Sequence, residues 1–322
     1  MAGEPAKKSI FSAHVWPTVW RAKGAAIDLV DACNLRCPEC VRGSRRMKNS
    51  QDKMDFQQFT AICEKLQSEH ISELALYNWS EPFLHPEIDK FVAFAVEKNF
   101  LCQIASNLSL PEIPSLISTF DAGLAEISVS VSGFTQETHE VYHRGSNIKI
   151  LRKHLHTIVK AGYAKKVVIN FLNFGYNTGE VAPFEEYAHG LGVRFSVTKA
   201  SGNPLRSDKD EKASTTLPSR YPILKHENKE FIHYNAEKMP FEKGKICEIA
   251  INPTIDCRGA VYLCCDRPSS PLFLLGNYLE LTFEEMLLKK YLHPECVNCT
   301  SDKSMNLSIE QMQAMADRMF VL

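Results

Sequence analysis

The chain has 322 residues, enough to bury a substantial core in one large domain or two smaller ones. It is 44% hydrophobic and 23% charged with a net charge of −1, an ordinary globular balance that gives no electrostatic reason to expect nucleic acid or an anionic membrane surface as a partner. No run approaches the roughly 18 apolar residues of a membrane span, and "MAGEPAKKSIFSAHVWP" lacks the apolar stretch of a signal peptide, so the expected location is cytoplasmic. In chain order, "GAAIDLV" (24–30) reads as a strand. "MDFQQFTAICEKLQ" reads as a helix, with Phe56, Phe59, Ile62 and Leu66 on one face and Asp55 near its start. "SELALYNW" (72–79) predicts a second strand and "EIDKFVAFAVEKN" a second helix. "LCQIAS", "EISVSVSG" (126–133), "KKVVINFLN" and "VRFSVTKA" continue the strands. Between them "PSLISTF", "IKILRKHLHTIVKAG" (closed by Gly162) and "FEEYAHGLG" supply helices. Six such units with short loops imply a parallel sheet, since parallel neighbours need a helical crossover. Their span is shorter than the ~250 residues of an eightfold barrel, so the expected fold is α/β, a partial (β/α)6 TIM barrel with its active site at the C-terminal strand ends. The domains expected are an N-terminal extension (1–23), the barrel (24–200), a linker or substrate loop (201–240) and a small cysteine-rich domain (241–322) ending in the amphipathic "LSIEQMQAMADRMFVL".

The eleven cysteines divide sharply. Cys33, Cys37 and Cys40 crowd the loop after the first strand, Cys63 and Cys102 fall singly on a helix and a strand, and Cys247, Cys257, Cys264, Cys265, Cys296 and Cys299 belong to the last quarter. A cytosolic chain keeps thiols reduced, so this usage argues for metal or redox chemistry rather than cross-links. Three thiols at this spacing arise by chance on the order of once in a hundred such chains. A cubane iron–sulfur cluster has four irons, each wanting a thiolate, so three thiolates leave one iron open to chelate a small molecule. The bland alternatives are a three-thiol zinc site or three buried cysteines. Cys63 and Cys102 read as core. The histidines form no ligand pattern; those of "YHRGS" are expected on a loop and those of "KHLHT" on a solvated helix face.

"CNLRCPEC" resembles the C-x3-C-x2-C signature of radical S-adenosylmethionine (radical SAM) enzymes, and the resemblance extends over about residues 25–200. It implies a [4Fe–4S] cluster on Cys33, Cys37 and Cys40, with S-adenosyl-L-methionine (SAM) chelated at the open iron. One-electron cleavage would then give a 5′-deoxyadenosyl radical that abstracts hydrogen. "LYNWSEP" resembles the family's Gly-Gly-Glu stretch, making Glu81 the acid for the SAM amino group, although Trp79 and Ser80 replace glycines. "IASNLSL" resembles its Thr-Asn-Gly stretch, making Asn107 a contact, with Leu108 in place of glycine. "ISVSVSGFTQETHEVYHRGS" resembles its fourth-strand segment and puts Ser130 near the ribose and Arg144 on the SAM carboxylate, a strong, directional pairing. Asn173 would lie near the adenine, and Glu39 stands where the family usually has an aromatic.

The C-terminal cysteines resemble the SPASM and twitch auxiliary-cluster domains of the same family, and the shorter twitch form fits because no cysteine follows Cys299. The resemblance implies Cys247, Cys264, Cys296 and Cys299 around a second, auxiliary [4Fe–4S] cluster, with Cys265 able to replace Cys264. A zinc ribbon is the alternative. Cys257 and Cys265 remain as inert core or as hydrogen donors to a substrate radical. The implied enzyme, of oxidoreductase or epimerase type, works on a small polar sugar, aminocyclitol or nucleoside-like natural-product intermediate by epimerisation, dehydrogenation or sulfur transfer. A barrel starting at about residue 24 leaves no room for a leader-recognition domain. A peptide or protein maturase and, more distantly, a zinc-stabilised binding protein are the alternatives. A flavodoxin or ferredoxin would supply electrons; no nucleic acid or membrane partner is expected.

Overall fold

The computed structural model describes residues 24–199 apart from 39, 45 and 46, residues 252–293 apart from 266 and 268, and the strands at 245–247 and 304–306. The first half runs β1 (Gly24–Ile27), α1 (Phe56–Ser68), β2 (Glu73–Ala75), α2 (Ile88–Glu97), β3 (Leu101–Ser106), α3 (Leu116–Asp121), β4 (Glu126–Val131), α4 (Gln136–Tyr142), α5 (Ile148–Lys160), β5 (Val167–Asn173), α6 (Val181–Gly190) and β6 (Arg194–Lys199). Its strands pair in parallel in chain order, giving the open partial barrel expected. Local chemistry sets the boundaries. The Asp55 carboxylate accepts from the Gln58 N–H (2.9 Å) and caps α1, whose Phe59, Ile62, Cys63 and Leu66 face inward at helical spacing. Gly162 takes the left-handed φ of +89° just past α5, which an L side chain rarely adopts.

Strand alternation separates two faces. In β4, Ile127, Val129 and Val131 are buried under the helices, while Glu126, Ser128 and Ser130 turn to the concave inner face. The same parity places Glu73, Ala75 and Tyr77, Gln103 and Ala105, and Val168, Asn170 and Leu172 on that inner face. One main hydrophobic core fills the space between strands and helices and takes in Cys63 and Cys102.

Two features depart from the periodic reading. The crossover between β4 and β5 contains two helices, and α4 escapes the periodic reading because it buries a histidine, His139, rather than an apolar stripe. More consequentially, β1 is not an edge. The chain returns with β8 (Thr254–Ile255), parallel to β1 through Ala26↔Thr254 and Ile27↔Ile255. Strands β9 (Ala260–Tyr262) and β10 (Leu274–Asn277) follow antiparallel, so the sheet reads β10-β9-β8-β1-β2-β3-β4-β5-β6. Helix α7 (Phe283–Leu292) covers this extension, started by a capping box between Thr282 and Glu285. Separately, β7 (Lys245–Cys247) pairs antiparallel with β11 (Ser304–Asn306). Among the described residues no helix is long and apolar enough to cross a membrane.

Candidate active site

The loop after β1 is built around its thiols. The Asn49 side chain clasps Cys33, accepting from its N–H (3.3 Å) and donating to its carbonyl (2.9 Å). The Leu35 N–H donates to Cys33 Sγ at 3.5 Å. The turn at 40–44 folds tightly over Cys37: a Cβ at Gly43 would stand 2.3 Å from the Cys37 carbonyl oxygen, so only glycine closes this turn. All three thiols are part-buried. Burial, with the Glu81 charge second, pushes the Cys33 thiol up to about 12. Burial and then the Cys40 and Cys33 thiols hold Cys37 well above the usual range. Among the described residues no three His, Cys, Asp or Glu side chains converge on a single ion. A cubane asks for something else: each thiolate takes its own iron, and three soft sulfurs on one loop, close enough to feel one another's charge, suit it.

Buried polar groups hold the neighbouring strand ends against this loop. Asp28 accepts from the N–H groups of Asn78 (2.9 Å), Trp79 (3.1 Å) and Ser80 (3.1 Å) and from the Ser80 hydroxyl (2.5 Å). Leu76 still donates to the Gln103 carbonyl on β3 (2.9 Å), but residues 78–81 turn to Asp28 at the end of β1, which is why β2 is shorter than 72–79 predicts. Burial raises Asp28, and these hydrogen bonds offset it. Arg42, itself buried, donates to the Trp79 carbonyl (3.0 Å) and to Asp31 (2.6 Å), tying the thiol loop to the 78–81 curl. Glu81 lies beneath that curl. It accepts from the Ser106 hydroxyl (2.7 Å), the Asn107 N–H (3.0 Å) and the Phe83 N–H (3.3 Å), while burial pushes it up to about 7. Asn107 in turn donates to Asn34 (2.9 Å) and lies 4.0 Å from Cys33 Sγ. Glu81 and Asn107 thus join each other and the thiol loop. Arg144 also reaches it: its carbonyl accepts from the Arg36 N–H (2.9 Å), and its charge bears on the Cys37 thiol.

Other sequence-derived candidates fall elsewhere. Ser130 is on the inner face near the C-terminal end of β4. Asn173 has the opposite parity to Asn170 and Leu172, and its side chain accepts from Thr178 (2.9 Å). Cys265 lines a cavity of about 210 Å3 with Ala26, Glu73, Ala75, Gln103 and Thr254. Cys257 does not line it; buried at the β8–β9 turn, its thiol points to the Asp52 carbonyl at 3.7 Å. Of the four cysteines assigned to a second cluster, Cys264 is half-buried and the Cys247 backbone pairs with Ser304, while Cys296, Cys299 and the Cys247 side chain lie outside what is described, as do residues 1–23, Glu39, 201–240 and the helix expected over 307–322. One histidine expectation holds and one is corrected. His143 lies in the loop just after α4, as expected, and is buried beside Ser132. On the face expected to be solvated, His154 is buried with its ring nitrogen 2.9 Å from the Leu110 carbonyl, and only His156 of that pair is exposed. Asp28, Arg42 and Tyr77 went unseen in the sequence. Tyr77 faces inward and is raised by burial and then by the Glu126 and Cys265 charges, and its alternation with buried Leu74 and Leu76 was the signal available.

The family model of the Radical SAM superfamily matches residues 27–187, half of the chain. The chain belongs to the radical SAM superfamily. Among curated proteins it is 26% identical over 167 residues to a 7,8-dihydro-6-hydroxymethylpterin dimethyltransferase of Methanocaldococcus jannaschii, over 51% of this chain and 33% of that one. It is 25% identical to a probable GTP 3′,8-cyclase of Aeropyrum pernix, over 54% of this chain and 50% of that one. The chain thus spans between a third and a half of these radical SAM relatives. Among solved structures, anSMEcpe with bound AdoMet aligns with a TM-score of 0.58 at 12% identity, over 92% of this chain and 97% of that one. SuiB of Streptococcus suis bound to S-adenosylmethionine aligns with a TM-score of 0.59 at 12% identity, over 87% and 67%. BtrN in complex with AdoMet and 2-DOIA aligns with a TM-score of 0.51 at 16% identity, over 87% and 93%. These likenesses establish the fold, and the radical SAM family uses a [4Fe–4S] cluster and SAM.

Proposed function

We propose that this radical SAM enzyme abstracts hydrogen from a small polar molecule of sugar, aminocyclitol or nucleoside-like type. The observation that carries the reading is a juxtaposition. A thiol loop at the mouth of β1 stands over an inner sheet face lined with Ser128, Ser130, Asn170, Gln103 and Tyr77, hydroxyls and amides suited to a polyhydroxylated ligand. In this reading Cys33, Cys37 and Cys40 hold the cluster. Glu81 and Asn107 shape the wall for the SAM amino group, Arg144 pairs its carboxylate, and Ser130 approaches its nucleoside. When bound and reduced, the cluster supplies the electron that splits SAM into methionine and a 5′-deoxyadenosyl radical.

The last quarter of the chain contributes in two ways. Cys264, with Cys247, Cys296 and Cys299, would hold an auxiliary [4Fe–4S] cluster in a twitch-like domain over 241–322, with 201–240 as the substrate loop between it and the 24–200 barrel. Cys265, close enough for its charge to bear on the inward-facing Tyr77, is better placed than Cys257 to return a hydrogen atom to a substrate radical, as an epimerisation requires. A flavodoxin or ferredoxin is the proposed reductant.

The test is iron and sulfide content after anaerobic reconstitution of wild type and a Cys33/Cys37/Cys40→Ala variant. About eight irons falling to about four is expected for two cubanes, with 5′-deoxyadenosine formed from SAM by wild type alone. Four falling to none removes the auxiliary cluster. A colourless protein that leaves SAM intact overturns the reading, and activity only with a polypeptide present would make the chain a maturase. With a substrate in deuterium oxide, hydrogen return from Cys265 puts one deuterium into the product, and a product without it removes that role.

A further inference from the structure

The turn between β8 and β9 reaches across the molecule to the start of the thiol loop. Arg258 stands at its tip. Its guanidinium bonds Asp31 Oδ2 (2.7 Å), Asp52 Oδ2 (2.5 Å) and the Ser50 hydroxyl (3.2 Å). The other oxygen of Asp31 takes Arg42 (2.6 Å), so one carboxylate is gripped by two guanidinium groups from opposite ends of the chain. Asp31 is also fixed through its backbone, donating to the Asp52 carbonyl (3.0 Å) and accepting from the Ser50 N–H (2.8 Å). Two residues on comes Cys33, clasped by Asn49. The turn that delivers Arg258 is itself pinned: its N–H donates to Asp256 (2.9 Å), and the Gln58 side chain on α1 donates to its carbonyl (2.8 Å). Gly259 closes the turn at φ +78°, where a Cβ would meet Gln58 Nε2 at 2.7 Å.

We propose that Arg258 is a positioning residue for the N-terminal cluster: by holding Asp31 and the 50–52 segment together, the turn between β8 and β9 fixes the loop on which Cys33, Cys37 and Cys40 stand. The inference rests on the reading that these thiols carry a cluster. Arg258 is half-exposed, and a lone exposed ion pair contributes little; a fork shared among three oxygens and continued through a buried arginine is a network, the arrangement in which such contacts matter. The planar fork adds to the charge: Nε donates to Asp52 (2.8 Å) while Nη2 donates to Asp31 (2.7 Å) and Ser50 (3.2 Å), a fixed geometry that the rotatable point charge of a lysine ammonium does not reproduce.

The test uses the full chain, reconstituted anaerobically, as wild type, Arg258→Ala, Arg258→Lys and the Cys33/Cys37/Cys40→Ala variant. Two readouts are followed: the rate at which an iron chelator strips the cluster, and the SAM concentration that half-saturates the change in the reduced cluster's paramagnetic resonance spectrum. Arg258→Ala is expected to lose iron about fivefold faster and to need several-fold more SAM, with Arg258→Lys between it and wild type. Thermal unfolding of the same proteins separates this from loss of fold; if Arg258→Ala does not fold, Arg258→Lys alone decides. Rates and SAM response equal to wild type overturn the proposal while the cysteine variant still lacks its cluster. If wild type gains no cluster that the cysteine variant lacks, it is the reading of the thiols that fails.

Discussion

Leu108 combines a left-handed backbone, φ +47°, with a side chain wholly buried in the main core, and the two oppose each other. A non-glycine residue in that region costs roughly 1–2 kcal/mol, while a buried leucine side chain contributes 2–5 kcal/mol relative to alanine. The chain thus takes a glycine-like turn after Asn107 and adds an apolar anchor to it. The turn matters to the site, since the Ser109 N–H on its far side donates to the Asn107 side chain at 2.8 Å. Leu108→Ala should lose the packing and keep the strain, whereas Leu108→Gly should lose the packing and relieve it. The glycine variant is therefore expected to be the more stable of the two by about 1 kcal/mol, the reverse of the usual order. Chemical denaturation of both variants checks this, and alanine proving the more stable would show that the turn is not strained.

Helix α4 sets the behaviour of the site's outer wall. His139 and His143 stack at 4.8 Å, and both are buried. The Ser132 N–H donates to His139 Nδ1 (3.2 Å), which assigns the ring proton to Nε2, 2.8 Å from the Ser146 hydroxyl. Ser146 donates to Ser109 (2.9 Å), so the histidine's hydrogen bonds end at the Asn107 turn. Burial, then the Arg152 charge, lowers His139 to about 4, partly countered by Glu180; burial and His139 hold His143 well below its usual value. The sign follows from the depressed folded value: the unfolded chain takes up protons below about 6.5 and the folded one does not until about 4, so stability present above pH 6.5 is lost on acidification through that window. His139 alone accounts for about 3 kcal/mol by pH 4. Thermal unfolding from pH 7 to pH 4 should show a shallower decline for His139→Gln than for wild type, and parallel curves would remove the histidine from the account. This element was also hidden in the sequence. The helices α1, α2 and α5 were legible because Phe59, Phe91 and Leu155 recur on apolar faces, whereas "QETHEVY" buries a histidine that its local sequence marks as polar.

At the scale of the whole molecule, the last quarter of the chain completes the sheet, and that too was illegible. Strand β8 is two residues, Thr254–Ile255, too short to show any alternation, and its partners Ala26 and Ile27 lie at the far end of the chain. The cysteine spacing announced chemistry there but not architecture. The consequence is energetic. Ile255, Val261, Leu263, Phe273, Leu275 and Met286 all belong to the main hydrophobic core rather than to a separate one. At ~1.5–3 kcal/mol each, removing them strips roughly 9–18 kcal/mol of burial. A domain's whole stability is about 5–15 kcal/mol. Polar ties go with them: Tyr278 donates its hydroxyl proton to Glu69, and the Trp79 indole N–H donates to the Arg267 carbonyl at 3.0 Å. The edge of β1 would be left with unpaired backbone groups, an invitation to aggregation. A fragment comprising residues 1–244, although it contains every barrel strand and all three N-terminal thiols, is therefore expected to aggregate or to unfold without a cooperative thermal transition. Gel filtration and calorimetry of that fragment decide the matter. A soluble monomer melting within a few degrees of the full chain would mean that the barrel stands alone and that the return strand merely decorates it.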